Sequence, residues 1–354
     1  MKNRDPWWFF FTCMFFCLGC IAEENQTQEA NREKALSELG HFLFFDKRLS
    51  LRSKLSCSSC HDPQFAFSDG YRVSLNDRAE KLLRNSPSIL NLNERDFFSW
   101  SDPSISTLEK QMVRPMFSTH PVEMGIKGNE QKILQRIKTD VQYQKIYREA
   151  FGYSIDLITL EDVIHAIAYY EFGLQSRNSK FDQWKKTGYR SGLTPSEISG
   201  YNIFMSKSVN CNACHGGNDF YSPENEDPMA NTGLYNCNSS YPAEDQGYQM
   251  HTGDNRHNGV FRIPTLRNIA ITAPYYHDGS SISLEEVIKN YERGGRNNLG
   301  SNCNGDGADH PNVDDRLKKF SLSDKQRSDL IAFLHTLTDT SYLKEYYFQN
   351  PINP

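Results

Sequence analysis

The sequence predicts a mostly α-helical protein built from two domains. Its 354 residues suit two domains of ~150 residues each. Four segments have the apolar periodicity of amphipathic helices, whereas few segments alternate as strands do. Two similar motifs, "SCSSCH" at 56–61 and "CNACHGG" at 211–217, each follow one of these helices. The repetition of one plan in both halves indicates two similar domains.

The first half has a helix at each end. The segment "EANREKALSELGHFLFF" carries Leu36, Leu39, Phe42 and Leu43 on one face, so it predicts an amphipathic helix before the first motif. The apolar segment "TLEDVIHAIAYYEFGLQS" at 159–176 predicts the helix that closes this half.

The second half repeats the arrangement. "LTPSEISGYNIFMS" begins with Thr194, Pro195 and Glu197, which are an N-cap, a first-turn proline and a capping-box acid. It predicts the helix that enters the second motif. A closing helix is predicted within 321–339, where apolar side chains recur on one face: Leu330, Phe333, Leu334 and Leu337.

Charge and composition limit the class of protein. The formal charge is −5 and the basic residues are scattered, so nothing indicates a nucleic-acid-binding surface. Hydrophobic residues make up 38% and aromatic residues 12%, which is enough for packed cores. The polar remainder excludes a protein with many membrane spans.

The N-terminus resembles a secretory signal. Lys2 and Arg4 precede an apolar run at 6–19, which at 14 residues is shorter than the ~20 of a membrane span. Cys20 follows Leu-Gly as in a bacterial lipobox, although Cys17 stands where that box usually has Leu. We therefore expect a periplasmic protein anchored to a membrane by a lipid on Cys20, with simple cleavage of the signal or an uncleaved anchor as the alternatives.

The nine cysteines divide by location. Three lie in the signal region and four in the two motifs, which leaves Cys237 and Cys303 in polar loops. Spare thiols in an exported protein tend to be oxidised, so we expect these two to form a disulfide.

The C-x-x-C-H pattern has three interpretations. A zinc site needs four ligands, and cysteine pairs in such sites usually recur after 12–20 residues, whereas Cys60 and Cys211 are far apart in this sequence. A redox dithiol is expected between a strand and a helix, which the flanking segments do not suggest. Attachment of haem c explains every position: two thiols bond one porphyrin and the adjacent His61 or His215 binds its iron. Haem c is thus the favoured interpretation.

Ten short segments support a family resemblance: LGHFLFFDKRLS, SCSSCH, FSDG, RNSPSILN, LEKQ, HPVEMG, SKFDQW, CNACHGG, FRIPTLRNIAITAPYYHDG and SLEEVIKNYERGG. Over residues 35–340 these segments resemble, in order, the bacterial di-haem cytochrome c peroxidases, and especially their MauG-like subgroup. The resemblance implies two cytochrome c-like domains, each binding one covalently attached haem c. It also implies a peroxidatic first haem and an electron-transfer second haem.

The implied division of the chain has four parts. They are a lipoprotein signal peptide (1–20), a tether (21–33), an N-terminal peroxidatic haem domain (34–188) and a C-terminal electron-transfer haem domain (189–354).

The resemblance implies specific roles at the first haem. Cys57 and Cys60 would attach it and His61 would be its proximal ligand. Gln111 and Glu123 match the family's distal pair, in which a base moves a proton between the peroxide oxygens. A solvated loop carboxylate is the alternative for Glu123.

Two further features concern the region around the first haem. Trp100 matches the family's electron relay between the haems, although the local sequence WSDP differs from the family's WDGR, and a plain core tryptophan is the alternative. Residues 62–87 contain no histidine. Since ordinary family members carry a capping histidine there, we expect the first iron to have an open coordination position.

At the second haem, Cys211, Cys214 and His215 would attach and bind the iron. Tyr291 occupies the position of a distal ligand that is Met in many relatives, and Ser283 and Glu286 would form a capping box for its helix. His277 would lie beside this haem. A core tyrosine and a hydrogen-bonded loop histidine are the respective alternatives.

The resemblance also implies a Ca²⁺ ion at the domain interface. Asn85, Thr272 and Pro274 match its side-chain and carbonyl ligands, and oxygen ligands suit this ion.

The expected function is reduction of H₂O₂ to water with electrons from a small cytochrome c or copper protein. One alternative is a MauG-like oxidase that uses peroxide to modify residues of a partner protein. Another is a di-haem electron carrier without catalysis. A homodimer is expected from the resemblance, and nucleic acid is not an expected partner.

Overall fold

The computed structural model describes residues 7–222, 226–298 and 303–352, with side chains from residue 26 onward. Most of the regular structure is helical, as predicted. The helices are α1 Trp7–Phe45, α2 Leu108–Phe117, α3 Glu130–Lys138, α4 Val141–Phe151, α5 Leu160–Phe172, α6 Lys180–Lys186, α7 Pro195–Met205, α8 Gln249–Thr252, α9 Leu284–Glu292 and α10 Asp324–His335. The strands β1 Met229–Ala230 and β2 Phe261–Arg262 form an antiparallel pair in which Met229 faces Arg262.

The first apolar core forms where α1 packs against α4 and α5. The predicted stripe of α1 points into it, with Leu39 and Leu43 fully buried. Gly40 permits the close crossing of α1 and α5, because a Cβ at this position would overlap the carbonyl oxygen of Ala166. The motif that follows α1 is held against this helix pair.

The second core repeats this crossing with α7 and α10. A Cβ at Gly200 of α7 would overlap the carbonyl oxygen of Asp329 on α10. The capping box at the start of α7 is confirmed, since Thr194 Oγ1 accepts from Glu197 N and Glu197 Oε2 accepts from Thr194 N at 2.6 Å. The predicted apolar face of α10 is also confirmed, because all four of its side chains are buried.

Each core includes some side chains from the other half of the chain. Phe181 and Trp184 of α6 belong to the second core, whereas Tyr342 and Phe348, which follow α10, belong to the first. The division of the chain near residue 188 stays a prediction, but packing does not follow the chain order strictly.

The expected disulfide is confirmed: Cys237 and Cys303 are bonded. It joins the long loop before β2 to the segment after α9, over a sequence separation of 66 residues.

At the N-terminus, α1 includes the predicted tether as well as part of the predicted signal. The side chains of that signal, including Cys20, lie outside the described residues. No helix within the described residues has both the length and the hydropathy that a membrane crossing requires.

Candidate functional site

The first motif forms a short 3₁₀ turn, Cys57–Ser59, packed against α1. The thiols of Cys57 and Cys60 are free. Burial, together with nearby carboxylates, raises the pKa of Cys57 well above its usual value and that of Cys60 to about 12. Redox-active cysteines have lowered thiol pKa values in electropositive surroundings, so this environment does not favour a reactive dithiol.

His61 is held by the backbone that follows it. Its Nδ1 donates a hydrogen bond to the Phe67 carbonyl oxygen at 2.9 Å, and burial lowers the pKa of the imidazole. Because a carbonyl can only accept, Nδ1 carries the proton and Nε2 is the nitrogen that can bind a metal. This is the arrangement that a proximal histidine ligand needs.

The predicted distal pair lies on and after α2. Gln111 is in the first turns of this helix, and its buried Oε1 has no hydrogen-bond partner among the residues that the structure describes. The loop that carries Glu123 folds back along α2, since Met124 N donates to the Pro115 carbonyl at 3.0 Å. Gln111 and Pro115 are four residues apart and therefore share one face of α2.

Glu123 has the electrostatic character of a proton acceptor. Burial raises its pKa to about 7. Its negative charge helps to raise the pKa of the Cys60 thiol, so the carboxyl group lies near the first motif. This raised pKa suits a proton acceptor better than a solvated loop carboxylate, and the role of Glu123 as the distal base stays a prediction.

Sequence reasoning missed two other carboxyl groups near the first motif. Glu171 on α5 is 7% exposed, and burial raises its pKa to about 8. Its negative charge helps to raise the pKa of the Cys57 thiol. Asp69 is buried and accepts hydrogen bonds from Ser74 Oγ and the amide N of Tyr71. Its negative charge helps to raise the pKa of the Cys60 thiol. The only sequence signal for Glu171 was one carboxylate within the apolar stretch of α5.

The second motif repeats the geometry of the first. Cys211–Ala213 form a 3₁₀ turn, the thiols of Cys211 and Cys214 are free, and His215 Nδ1 donates to the Phe220 carbonyl oxygen at 3.1 Å. Burial lowers the pKa of His215 to about 4, which keeps the imidazole neutral.

A largely apolar cavity opens beside this motif and collects most of the remaining predicted residues. Cys211, Cys214 and His215 line it, together with the predicted side chains from other elements: Asn85, Trp100, Thr272, Pro274, His277 and Tyr291. Gln111, Glu123 and the first motif are not part of this lining.

Tyr291 lies on the last turn of α9 and faces the cavity. Burial raises the pKa of its hydroxyl well above the usual value, with contributions from Cys211 and Cys214. Only one of the two hydrogen bonds of the predicted α9 capping box is present, so the predicted box is wrong in its other bond. Ser283 Oγ accepts from Glu286 N as expected, but the Glu286 carboxylate accepts from Ser281 Oγ at 2.7 Å instead of from Ser283 N.

His277 is 6% exposed and stacks on Phe261 with 3.7 Å between ring centroids. Burial lowers its pKa to about 4. Its carbonyl oxygen accepts from Asn85 N at 2.7 Å, which joins the two halves of the chain beside the cavity.

The residues proposed for calcium line the same cavity. Asn85 Nδ2 donates to the Tyr71 carbonyl at 2.9 Å, so Oδ1 is the amide atom that a cation would use. Within the side chains that the structure describes, no cluster of three or more His, Cys, Asp or Glu is arranged to hold a metal ion. The calcium site stays a prediction.

Trp100 lies at the junction of the two halves. Its indole N donates to the Asn85 carbonyl at 3.0 Å, and its own carbonyl accepts from Arg262 N at 2.8 Å. The Arg262 guanidinium lies over the indole, 5.5 Å from the ring centroid.

Two arginines missed by sequence reasoning face the same cavity. Arg262 is 3% exposed, and within the described part of the chain its Nε and Nη1 have no hydrogen-bond partner. Burial and the proximity of Arg95 lower its pKa well below the usual value, and burial lowers the pKa of Arg95 to about 10. Arg262 belongs to the segment FRIPTLRN, but nothing in that pattern indicates that its charge is buried and unpaired.

These residues fit a haem c. Leaving a buried guanidinium unpaired is costly, and a carboxylate-bearing group in the cavity would remove the cost. Haem c brings two carboxylates, while the free thiols and the Nε2 atoms of the two histidines supply the attachment and iron-binding chemistry.

Comparisons with known proteins identify the family of this chain. Residues 34–190 match the model of the family described as di-haem cytochrome c peroxidase. The chain is 30% identical to the methylamine utilization protein MauG of Methylophilus methylotrophus, covering 89% of this chain and 85% of that protein. It is 30% identical to the cytochrome c551 peroxidase of Nitrosomonas europaea, covering 92% of this chain and 87% of that protein.

Among solved structures, a MauG-like protein associated with microbial copper homeostasis superposes with a TM-score of 0.85. It is 38% identical, and the match covers 90% of this chain and 93% of that one. Relatives with peroxidase names and the implied haem cofactors indicate an oxidoreductase of the peroxidase type. The chain therefore belongs to the di-haem cytochrome c peroxidase family.

Proposed function

We propose that this protein is a di-haem c-type peroxidase that reduces H₂O₂ to two molecules of water with two electrons and two protons. The observation that carries the proposal is the Glu123 carboxyl group, whose pKa burial raises to about 7 on the side of the first motif. A base with a pKa near the working pH is suited to proton transfer.

The chain's residues would hold one haem in each half. Cys57 and Cys60 would attach the first, with His61 as its iron ligand. The second would be attached by Cys211 and Cys214 and bound by His215 and Tyr291. When bound, the haems supply the electron storage and the iron at which the O–O bond is cleaved.

Around the first haem, the chain's residues handle protons. The Glu123 carboxylate would take the proton from one peroxide oxygen and return it to the departing oxygen, which leaves as water. The Gln111 amide, whose Oε1 has no partner in the described residues, would orient the peroxide. Since residues 62–87 contain no histidine, no capping ligand is expected to compete with peroxide.

Between the haems, Trp100 would relay electrons, because its indole spans the junction of the halves. Arg262 and Arg95 would bind carboxylates of the second haem. We propose a small cytochrome c or copper protein as the electron donor, docking near the second haem.

The cellular setting belongs to the same proposal. We propose export to the periplasm, attachment to a membrane by a lipid on Cys20, a Ca²⁺ ion held by Asn85, Thr272 and Pro274, and a homodimer. The basis is the N-terminal sequence for the first two and family resemblance for the others.

The proposal is tested by replacing the base in the haem-loaded protein. Glu123→Gln keeps the size of the side chain but cannot accept a proton, so the second-order rate constant for H₂O₂ should fall ~10²–10⁴-fold. Glu149→Gln, at an exposed position of α4, is the matched control and should react as the wild type does. An unchanged rate constant in Glu123→Gln would overturn the assignment.

A second candidate function is oxidation of a partner protein with peroxide as oxidant. Two features favour it. Tyr291, instead of Met, lines the cavity beside the second motif, and residues 62–87 contain no capping histidine. Rapid reaction with H₂O₂ combined with poor steady-state turnover on reduced cytochrome or copper-protein donors would select this function over the first.

A further inference from the structure

The C-terminal tail, residues 340–352, leaves the second half of the molecule and packs against the first. Tyr342 Oη donates to the Pro63 carbonyl at 2.8 Å, and both groups are buried. Tyr170 Oη donates to the Tyr347 carbonyl at 2.6 Å. His41 Nε2 donates to the Gln349 carbonyl at 2.7 Å. Three hydrogen bonds over large sequence separations thus fix this tail to the first half.

The tail packs against a strained turn that follows the first motif. Ala66 and Phe67 have left-handed backbone conformations, with φ of 52° and 58°. Residues other than glycine adopt this region at a cost, and they keep it only where the surroundings hold them. Hydrogen bonds from Phe67 N to the Asp62 carbonyl at 2.8 Å and from Ser88 Oγ to the Ala66 carbonyl at 2.6 Å help to hold the turn. Packing of the fully buried Phe67 ring adds to this support.

Much of this packing comes from the tail. The Phe67 ring lies 6.3 Å from Tyr342 and 5.9 Å from Phe348, measured between centroids, and 5.9 Å from Phe44 of α1. The carbonyl of the same Phe67 accepts the hydrogen bond from His61 Nδ1. The tail therefore supports the acceptor that orients the proximal histidine.

The second motif has a similar arrangement with different supporting residues. Phe220 also has a left-handed φ, of 54°, and its carbonyl accepts from His215 Nδ1. Its ring is packed by Phe181 of α6, at 5.2 Å between centroids, and by Phe204 of α7 and Phe333 of α10. None of these three rings belongs to the tail, whose Tyr342 and Phe348 contact Phe67 instead.

We propose that Tyr342 and Phe348 are positioning residues for the first haem, acting through Phe67 on His61. A hydrogen bond from Nδ1 raises the basicity of a metal-bound histidine and so influences the metal. By holding the Phe67 carbonyl in place, the tail keeps His61 a strong electron donor and the first haem at a low reduction potential. This inference rests on the proposed attachment of a haem at the first motif.

The test uses the full-length, haem-loaded protein and two readouts besides activity. The first is potentiometric titration of both haems. The second is the iron–histidine stretching frequency of the reduced first haem in resonance Raman spectra. In Phe348→Ala, the potential of the first haem should rise and the stretching frequency should fall, because the hydrogen bond to Phe67 loosens. Tyr342→Phe, which removes only the bond to Pro63, should shift both in the same directions by less.

Matched variants separate positioning from general destabilisation. Phe348→Leu keeps most of the packing and should restore values close to the wild type. Tyr346→Phe makes the same chemical change on a tail residue that is 53% exposed, and should shift neither readout. The potential of the second haem should stay constant throughout, because its histidine is supported by α7 and α10.

Two outcomes would overturn the inference in distinguishable ways. If Phe348→Ala and Tyr342→Phe both carry two haems with wild-type potentials and frequencies, the tail does not position His61, while the proposed peroxidase stands. If the wild-type protein carries no haem at the first motif, the proposed function fails and the inference fails with it.

Discussion

Glu123 and Glu171 are two carboxyl groups near the first motif that burial affects in the same direction but that differ in position. Burial raises the pKa of Glu123 to about 7 and that of Glu171 to about 8. Glu123 is on the loop that folds back along α2, the helix that carries Gln111, whereas Glu171 lies on α5 near Cys57. Only Glu123 is a residue predicted to act on peroxide.

The pH dependence of the peroxide reaction follows from the Glu123 pKa. The general base must be deprotonated, so the second-order rate constant for H₂O₂ should rise as the pH increases through about 7 and level off above it. Stopped-flow measurements from pH 5 to 9 would show this step. The step should be absent in Glu123→Gln, and a profile that is flat in the wild type would contradict the role of this carboxylate.

Arg262 provides a second residue-level prediction. A buried positive charge close to the second haem stabilises its reduced form, because reduction adds a negative charge. Arg262→Met should therefore lower the midpoint potential of the second haem, and Arg262→Lys should lower it less. Arg256→Met is the control, since the Arg256 side chain is 85% exposed. Equal potentials in Arg262→Met and the wild type would exclude a role in binding a haem carboxylate.

At the scale of elements, the same helix crossing occurs twice. α1 crosses α5 at Gly40, and α7 crosses α10 at Gly200, and each glycine faces a backbone carbonyl. The motifs follow α1 and α7, so each crossing fixes the position of one C-x-x-C-H turn. Local sequence predicted these helices, because their caps and apolar stripes are local features.

Replacement of Gly200 tests this crossing. Alanine normally favours a helix over glycine by about 1 kcal/mol. Here a Cβ would overlap the Asp329 carbonyl, so Gly200→Ala should instead lower the free energy of unfolding by about 1–3 kcal/mol. Denaturant unfolding followed by circular dichroism would measure the change. Gly173→Ala, where the nearest atom would be 3.3 Å from the Cβ, should have little effect. A neutral or stabilising Gly200→Ala would show that the helices can move apart.

Other features of these elements were not visible in the sequence. The capping box of α9 was half wrong because Ser281, two residues before Ser283, competes for the Glu286 carboxylate. The unpaired Arg262 depends on burial between segments far apart in the chain. The tail depends on hydrogen bonds such as Tyr342 to Pro63, across 279 positions, which no local pattern encodes.

In the molecule as a whole, several contacts join the two halves beside the cavity of the second motif. Arg84 pairs with Asp245 at 2.7 Å, and Asn85 N donates to the His277 carbonyl. Trp100 and Arg262 meet at the same junction. The family resemblance named Asn85, Trp100 and His277 for this region, and all three line one cavity. It could not supply the contacts that hold them there.

The account as a whole requires two haems in unlike surroundings, one of them with an accessible iron. Low-temperature electron paramagnetic resonance of the oxidised, full-length protein reports both irons at once. We expect two haem signals of equal amount: a high-spin signal from the first haem, which cyanide converts to low spin, and a low-spin signal from the second, which cyanide leaves unchanged. A single haem signal, or two low-spin signals that cyanide does not alter, would contradict the account.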